Sequence, residues 1–235
     1  MDTQTRHALK KDKFAQATAS SVSWLSLHRV GAIQWAAGAV VLVALVFAGL
    51  WYYTWRSDAA AGALGAALDA YNAPLAQAGL PKQANEYDTA ALRSKAANEK
   101  FLAVAQQYSW FPEGAKAHYF AGATALDLGQ NAAAEAELKT AAGSRDRDLA
   151  NLANLALAGL YHRTGRDAQA IDIYNAIVAK PSETVPATVA QLDLADLYAV
   201  TGKQDLARAL WAKVKDADKD GAAGSAAAQK LAAKP

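Results

Sequence analysis

Apolar positions divide the chain into two regimes. From Ala36 to Tyr53, 18 consecutive residues carry nothing more polar than Gly or Tyr, and no charge occurs between Arg29 and Arg56. After Arg56 the apolar residues recur with helical spacing. Leu64, Leu68, Tyr71 and Leu75 fall at i, i+4, i+7 and i+11, one face of a helix. Pro74 is expected to kink or end that helix. Gly79 to Glu86, around Pro81, reads as a loop; a second helix is expected from about Tyr87 to Tyr108, and Pro112 opens the next. Neither Gly nor Pro lies between Tyr53 and Ala59, so the apolar run is expected to continue straight into the helix that follows.

The run is long enough to cross a bilayer. A helix rises ~1.5 Å per residue and the hydrocarbon core is ~30 Å thick, so about 20 residues suffice. Trp35 and Trp55 are 20 positions apart, and Trp51, Tyr52 and Tyr53 thicken the second end. Amphipathic rings favour the two headgroup zones, so these five aromatics read as interfacial belts at either face of a span over residues 30–55. Val40, Val41, Leu42, Val43, Leu45, Val46, Phe47 and Leu50 each favour insertion by ~0.3–0.6 kcal/mol, together roughly 2.5–5 kcal/mol, with no charge opposing. A cleaved signal peptide is the competing reading, because Ala59 and Ala61 form a small-residue pair. The run exceeds the ~7–15 residues of such a peptide, and bulky aromatics follow it, so an uncleaved span is the expectation.

Charge orients the span. Arg6, Lys10, Lys11, Lys13 and Arg29 precede it, against Asp2 and Asp12, whereas Arg56 is the sole basic group in the 20 residues that follow. The positive-inside rule places residues 1–29 in the cytoplasm as a basic tail and the rest across the membrane, in the periplasm of a two-membrane bacterium. Within the tail, Phe14, Ala17, Ser21, Trp24 and Leu25 recur three and four apart. They fit either a helix on the inner leaflet or a solvated tail that acts only as a topology signal.

A repeat emerges in the second half. Gly129, Gly165 and Gly202 are 36 and 37 residues apart. Seven before each is a small residue, Gly122, Ala158 and Ala195; five after is Ala134, Ala170 and Ala207. Nine after stands a large apolar residue, Leu138, Tyr174 and Trp211; twelve after come Ala141, Ile177 and Val214. Tyr161 and Tyr198 precede the later two glycines by four, where the first unit has Ala125. Small residues let antiparallel helices approach, and Gly accepts the left-handed backbone that reverses the chain between them. Such hairpins cannot bury their apolar faces singly and must stack.

This spacing resembles the tetratricopeptide repeat, with three units over Ala115 to about Lys215. Residues 56–111 read as a linker helix and a degenerate first unit in which Ala97, Phe101 and Val104 keep the second-helix spacing, and 112–235 as the repeats with a short capping helix around Leu231. The expected fold is all-α: one N-terminal transmembrane helix followed by a tetratricopeptide-like α-hairpin solenoid. The whole layout is similar to that of the ancillary subunit of the Sec translocon. That resemblance implies contact with translocon or periplasmic chaperone components.

Composition narrows the chemistry. Ala supplies 61 of 235 residues and Ile only four, which favours packed helices over sheet. Cys is absent, excluding disulfides, thiol nucleophiles and Cys-ligated zinc. A net charge of +2 gives no footprint for nucleic acid. His7, His28, His118 and His162 show no metal-ligand spacing, and neither a nucleophile elbow nor a Gly-rich phosphate loop occurs. No enzyme, cofactor, metal site or small-molecule substrate is expected. Glu135 and Glu137, two apart on a helix, do not face each other and read as a solvated face. Asp216, Asp218, Asp220 and Gly221 match the start of a calcium loop, but Ala227 stands where its bidentate Glu belongs. A calcium-binding helical module secreted after signal cleavage is therefore the alternative to a membrane-tethered interaction scaffold.

In the tetratricopeptide pattern first helices line a groove. By register these positions are Lys116, Tyr119 and Asp127, then Leu155, His162 and Arg163, then Leu192 and Asp196. Their mixture of ring, aliphatic and charge suits an extended peptide or a helix, unless the helix over 59–78 fills the groove.

Overall fold

A computed structural model describes residues 29–77 and 84–233. The basic tail up to position 28, with its Phe14 to Leu25 face, and most of the Gly79–Glu86 loop lie outside the described residues. Among the described residues the chain is all-helical and has no strand. The nine helices among these residues are α1 (Arg29–Tyr71), α2 (Ala90–Gln107), α3 (Pro112–Asp127), α4 (Asn131–Ala142), α5 (Arg147–Arg163), α6 (Asp167–Ala179), α7 (Ala187–Val200), α8 (Gln204–Ala217) and α9 (Ala222–Ala232).

Two units divide the chain, Met1–Arg56 and Ser57–Pro235. In the first, the apolar side chains from Val40 to Leu50 are all exposed, and the interfacial candidates Trp35, Trp51, Tyr52, Tyr53 and Trp55 are exposed with them. The rings of Tyr52 and Trp55 lie 6.2 Å apart. One helix is thus long and apolar enough to cross a membrane, with none of its most apolar window buried against protein.

In the second unit each helix from α2 onward packs on its neighbours in the chain. Its first part, Ser57–Tyr71, is the end of α1. Ala60, Leu64, Ala67 and Ala70 are buried there with Phe101, Val104 and Tyr108 of the α2 region and Ala117 and Ala121 of α3. The helix stops at Tyr71, three residues before Pro74, because a proline ring disfavours helical backbone in the residue it follows. Leu75 therefore leaves the helical face expected of it and pairs with Tyr87 in an isolated bridge. Thr89 caps α2 through its hydroxyl, which accepts from Leu92 N–H at 3.2 Å, so that helix begins at Ala90 rather than Tyr87.

The three expected turns are present at the expected residues. Among the described residues, the positive-φ positions are Gly129, Gly165 and Gly202, at +69°, +72° and +79°. Each turn closes with the same pair of backbone bonds. Gly129 N–H donates to Leu126 O and Gln130 N–H to Ala125 O; Gly165 to His162 and Arg166 to Tyr161; Gly202 to Ala199 and Lys203 to Tyr198. This is the Schellman closure, which satisfies carbonyls left open at the helix end. The hairpins α3–α4, α5–α6 and α7–α8 thus share one register. Their small and large positions are buried throughout: Gly122, Ala134, Leu138 and Ala141; Ala158, Ala170, Tyr174 and Ile177; Ala195, Ala207, Trp211 and Val214. Gly122 shows why a small residue is needed, since a Cβ there would lie 2.6 Å from Leu138 Cγ. A central cluster joins Leu138 and Ala141 to Leu157, Tyr161, Tyr174 and Leu194, and so crosses from one hairpin to the next.

Gly165→Ala isolates the backbone contribution of a turn, because a Cβ at Gly165 meets nothing within 4 Å. Left-handed backbone costs an L-residue roughly 1–2 kcal/mol, and that loss of unfolding free energy is expected in urea titration. No loss would mean that the turn relaxes without strain.

Candidate functional site

The eight groove candidates all sit on α3, α5 and α7, but their side chains have different uses. Lys116 is partly exposed on α3. Tyr119 is half-buried, edge-on to Phe120 at 5.2 Å, and its phenol is pushed up from the ordinary range by burial and by nearby Tyr71. The end of α1 therefore stands beside α3. Asp127 accepts from Ser94 Oγ of α2 at 3.3 Å, tying it to the helix before. Leu155 packs against the central cluster and Leu192 against the C-terminal one. His162 Nδ1 lies 2.7 Å from Asp167 Oδ1 across the α5–α6 turn, while Arg163 beside it is exposed.

Asp196 has the most connected position of the eight. Its Oδ1 accepts from Trp211 Nε1 at 2.9 Å, and its Oδ2 meets Lys230 Nζ at 2.8 Å. Lys230 also lies 5.9 Å over the Trp211 ring. Residues of α7, α8 and α9 thus share one carboxylate. Asp193, one turn earlier on α7, was not singled out by register. Its carboxyl is pushed up to about 6, chiefly by burial and then by Asp196, with Lys230 opposing. Tyr174 of α6 is raised to about 12 by burial and then by Asp193 and Asp196, while Arg163 opposes. The structure therefore gathers Arg163 and Asp196 into one electrostatic neighbourhood, with Tyr174 and Asp193 added. An aspartate flanked by Leu192 and Leu194 is the signal that could have revealed Asp193.

A folded carboxyl held above its ordinary 3.8 contributes stability that is full below pH ~3.8 and lost as pH rises through about 6. Asp193→Asn is accordingly expected to stabilise the fold at pH 7.5 by ~1–2 kcal/mol, allowing for partial solvent screening, and to give no gain at pH 3.5. Thermal melts at both pH values check it; an equal effect at each would point to packing instead.

Glu135 and Glu137, which read as a solvated face, each have a side-chain partner on another helix. Glu137 Oε2 lies 2.6 Å from His118 Nδ1 of α3. Glu135 accepts from Arg166 Nη2 at 2.7 Å and from Tyr161 OH at 3.2 Å, and pairs with Lys139 Nζ at 2.7 Å. Arg166 in turn covers the Tyr161 ring at 4.1 Å. Hydrogen bonds from Arg166, then Lys139, hold the Glu135 carboxyl down at about 2. Its stabilisation is therefore present above pH ~4.5 and lost as pH falls through about 2. Glu135→Gln should flatten the acid limb of the stability profile over that window in urea titrations; an unchanged limb would remove Glu135 from it.

The calcium-like sequence has a local explanation. Asp216 belongs to the last turn of α8, and Asp218 Oδ2 accepts from Gly224 N–H at 3.0 Å in the first turn of α9. That satisfies one of the donors a helix start leaves open. No group of three or more His, Asp or Glu placed to hold a metal ion occurs among the described residues. Comparison of the chain with family models, with curated proteins and with solved structures gives no match in any of the three.

Proposed function

We propose that the protein is a single-span, membrane-tethered scaffold of tetratricopeptide-like hairpins that works by binding other polypeptides. The observation that carries this reading is the threefold register: left-handed glycines at 129, 165 and 202, each followed nine residues later by a buried large side chain. Repeated hairpins of this kind present first-helix side chains in series, a surface suited to peptides and helices rather than to chemistry on small molecules. The exposed apolar segment of α1 supports the tether, since an uncovered run of that length is stable in lipid and not in water. The charge asymmetry around it supports a cytoplasmic N-terminus and a periplasmic repeat domain. The layout supports an accessory role in protein secretion or envelope assembly, with translocon or periplasmic chaperone components as partners.

Lys116 and Arg163 are the informative probe positions, because Asp127, His162 and Asp196 already have side-chain partners within the chain. A photo-crosslinking residue at each, in intact membranes, is expected to capture secretion or chaperone proteins identifiable by mass spectrometry. Crosslinks confined to lipid or to cytoplasmic proteins would reject the reading. Protease added outside spheroplasts should digest the C-terminal domain; protection until lysis would reverse the sidedness.

A further inference from the structure

Trp110 is 95% exposed in the second unit, at the turn between α2 and α3. Three rings fix where that turn lies. Phe101 of α2 stacks on Phe120 of α3 at 5.1 Å, and Tyr71 of α1 meets each of them at 6.2 Å. The three helices are therefore level at these rings. Arg93, near the start of α2, reaches Ala73 O just past the end of α1, so α2 runs back along α1 and α3 runs with it. Pro112 precedes Phe120 by eight residues, ~12 Å of helix. The same distance back from Tyr71 along α1 reaches about Ala63. The turn at Tyr108–Phe111 thus lies at the Ser57 end of the unit, in agreement with the burial of Ala60 in one cluster with Tyr108 and packed Phe111. Ser57 is two residues past Trp55, the last aromatic of the apolar segment.

The sequence around the turn is unusual in the same direction. From Phe101 to Pro112 no side chain is charged, although charges occur on both sides at Lys100 and Glu113. A bare indole and a charge-free approach are the features of side chains that sit at the headgroup level, where Trp has an apolar body and a polar N–H to satisfy. We propose that the α2–α3 turn, led by Trp110, docks on the outer surface of the bilayer that the α1 segment enters, so that the repeat domain is held against lipid at a second point. This rests on the membrane reading of α1.

The chain has no Cys, so single nitroxide labels can be placed without background. The full chain in liposomes, labelled at Ser109→Cys, Val43→Cys or Gln169→Cys, is compared by collision with oxygen, which concentrates in lipid, and with a nickel chelate, which stays in water. The 109 label is expected to show an oxygen-to-nickel ratio several-fold above the 169 label. A 109 label matching the 169 label, or one shielded from both agents as in a protein contact, overturns the proposal while a bilayer reading at 43 leaves the span intact. Aqueous behaviour at 43 as well overturns the span reading and the docking with it. As a second readout, Trp110→Ser should remove part of the tryptophan quenching caused by lipids brominated near the headgroup; quenching identical to the unsubstituted chain also overturns the docking.

Discussion

Leu42→Arg with Val46→Arg is expected to release the protein from membranes into the soluble fraction. Both residues lie in the middle stretch between Trp35 and Trp55, Leu42 ~10 Å and Val46 ~16 Å of helix from Trp35, and ~20 Å and ~14 Å from Trp55. An arginine at that depth opposes insertion by ~2.5–3.5 kcal/mol, so the pair opposes it by ~5–7 kcal/mol. The eight apolar residues of the centre favour insertion by only ~2.5–5 kcal/mol, and the substitutions remove two of them. The balance therefore changes sign. A snorkelling side chain from the midpoint does not span the distance to the interface. Leu42→Ala with Val46→Ala, which adds no charge, should leave the chain in the membrane pellet after alkaline carbonate extraction, whereas the arginine pair should be in the supernatant. Retention of the arginine pair in the pellet would show that the segment is not what holds the protein to lipid, and would leave the exposed Val40–Leu50 surface without an explanation.

The features legible in the sequence were those set by local chain geometry. The three turn glycines were readable because left-handed backbone restricts residue choice at one position, and all three adopt it. The small and large positions were readable because close helix approach restricts volume at fixed offsets from the turn. Continuity of α1 past Trp55 followed from the lack of a breaker, and the helix runs unbroken from Arg29 to Tyr71. What escaped depends on side chains far apart in sequence. Nothing near Glu135 announces Arg166, 31 residues on, and nothing near Asp196 announces Lys230. The register located the first-helix face but not which of its side chains already have partners: Asp127, His162 and Asp196 each meet a side chain from another helix or from across a turn. The aspartates before α9 resemble a cation loop because helix starts and cations ask for the same oxygen donors, and here Asp218 accepts from Gly224 N–H.

Trp211→Ala should be the most damaging single substitution in the C-terminal part of the fold. The ring is 8% exposed and packs in one cluster with Ala195, Ala207, Val214, Ala223 and Ala227, so it joins α7, α8 and α9. Its fully buried neighbours are mainly alanines, whose short side chains cannot fill the space it leaves. Truncating a buried aromatic of this kind removes ~3–5 kcal/mol of stability, toward the upper end where collapse is poor. The indole also carries a directed bond, Nε1–H to Asp196 Oδ1. A hydrogen bond to a charged acceptor contributes about 1.5–3 kcal/mol, so Trp211→Phe, which keeps most of the ring, should fall between wild type and the alanine variant. Lys230→Ala removes only a half-exposed ion pair and a distant ring contact, and should lower stability by less than about 1 kcal/mol. The expected order of loss in urea titration is Trp211→Ala, then Trp211→Phe, then Lys230→Ala. Hydrogen exchange should localise the damage: amides of α9 lose protection first in Trp211→Ala, while those of α3 and α4, which share no cluster with Trp211, keep theirs. Equal stability of the alanine variant and wild type would mean that the large position of the third hairpin does not join it to α9, and the stacking logic would fail where it is easiest to measure.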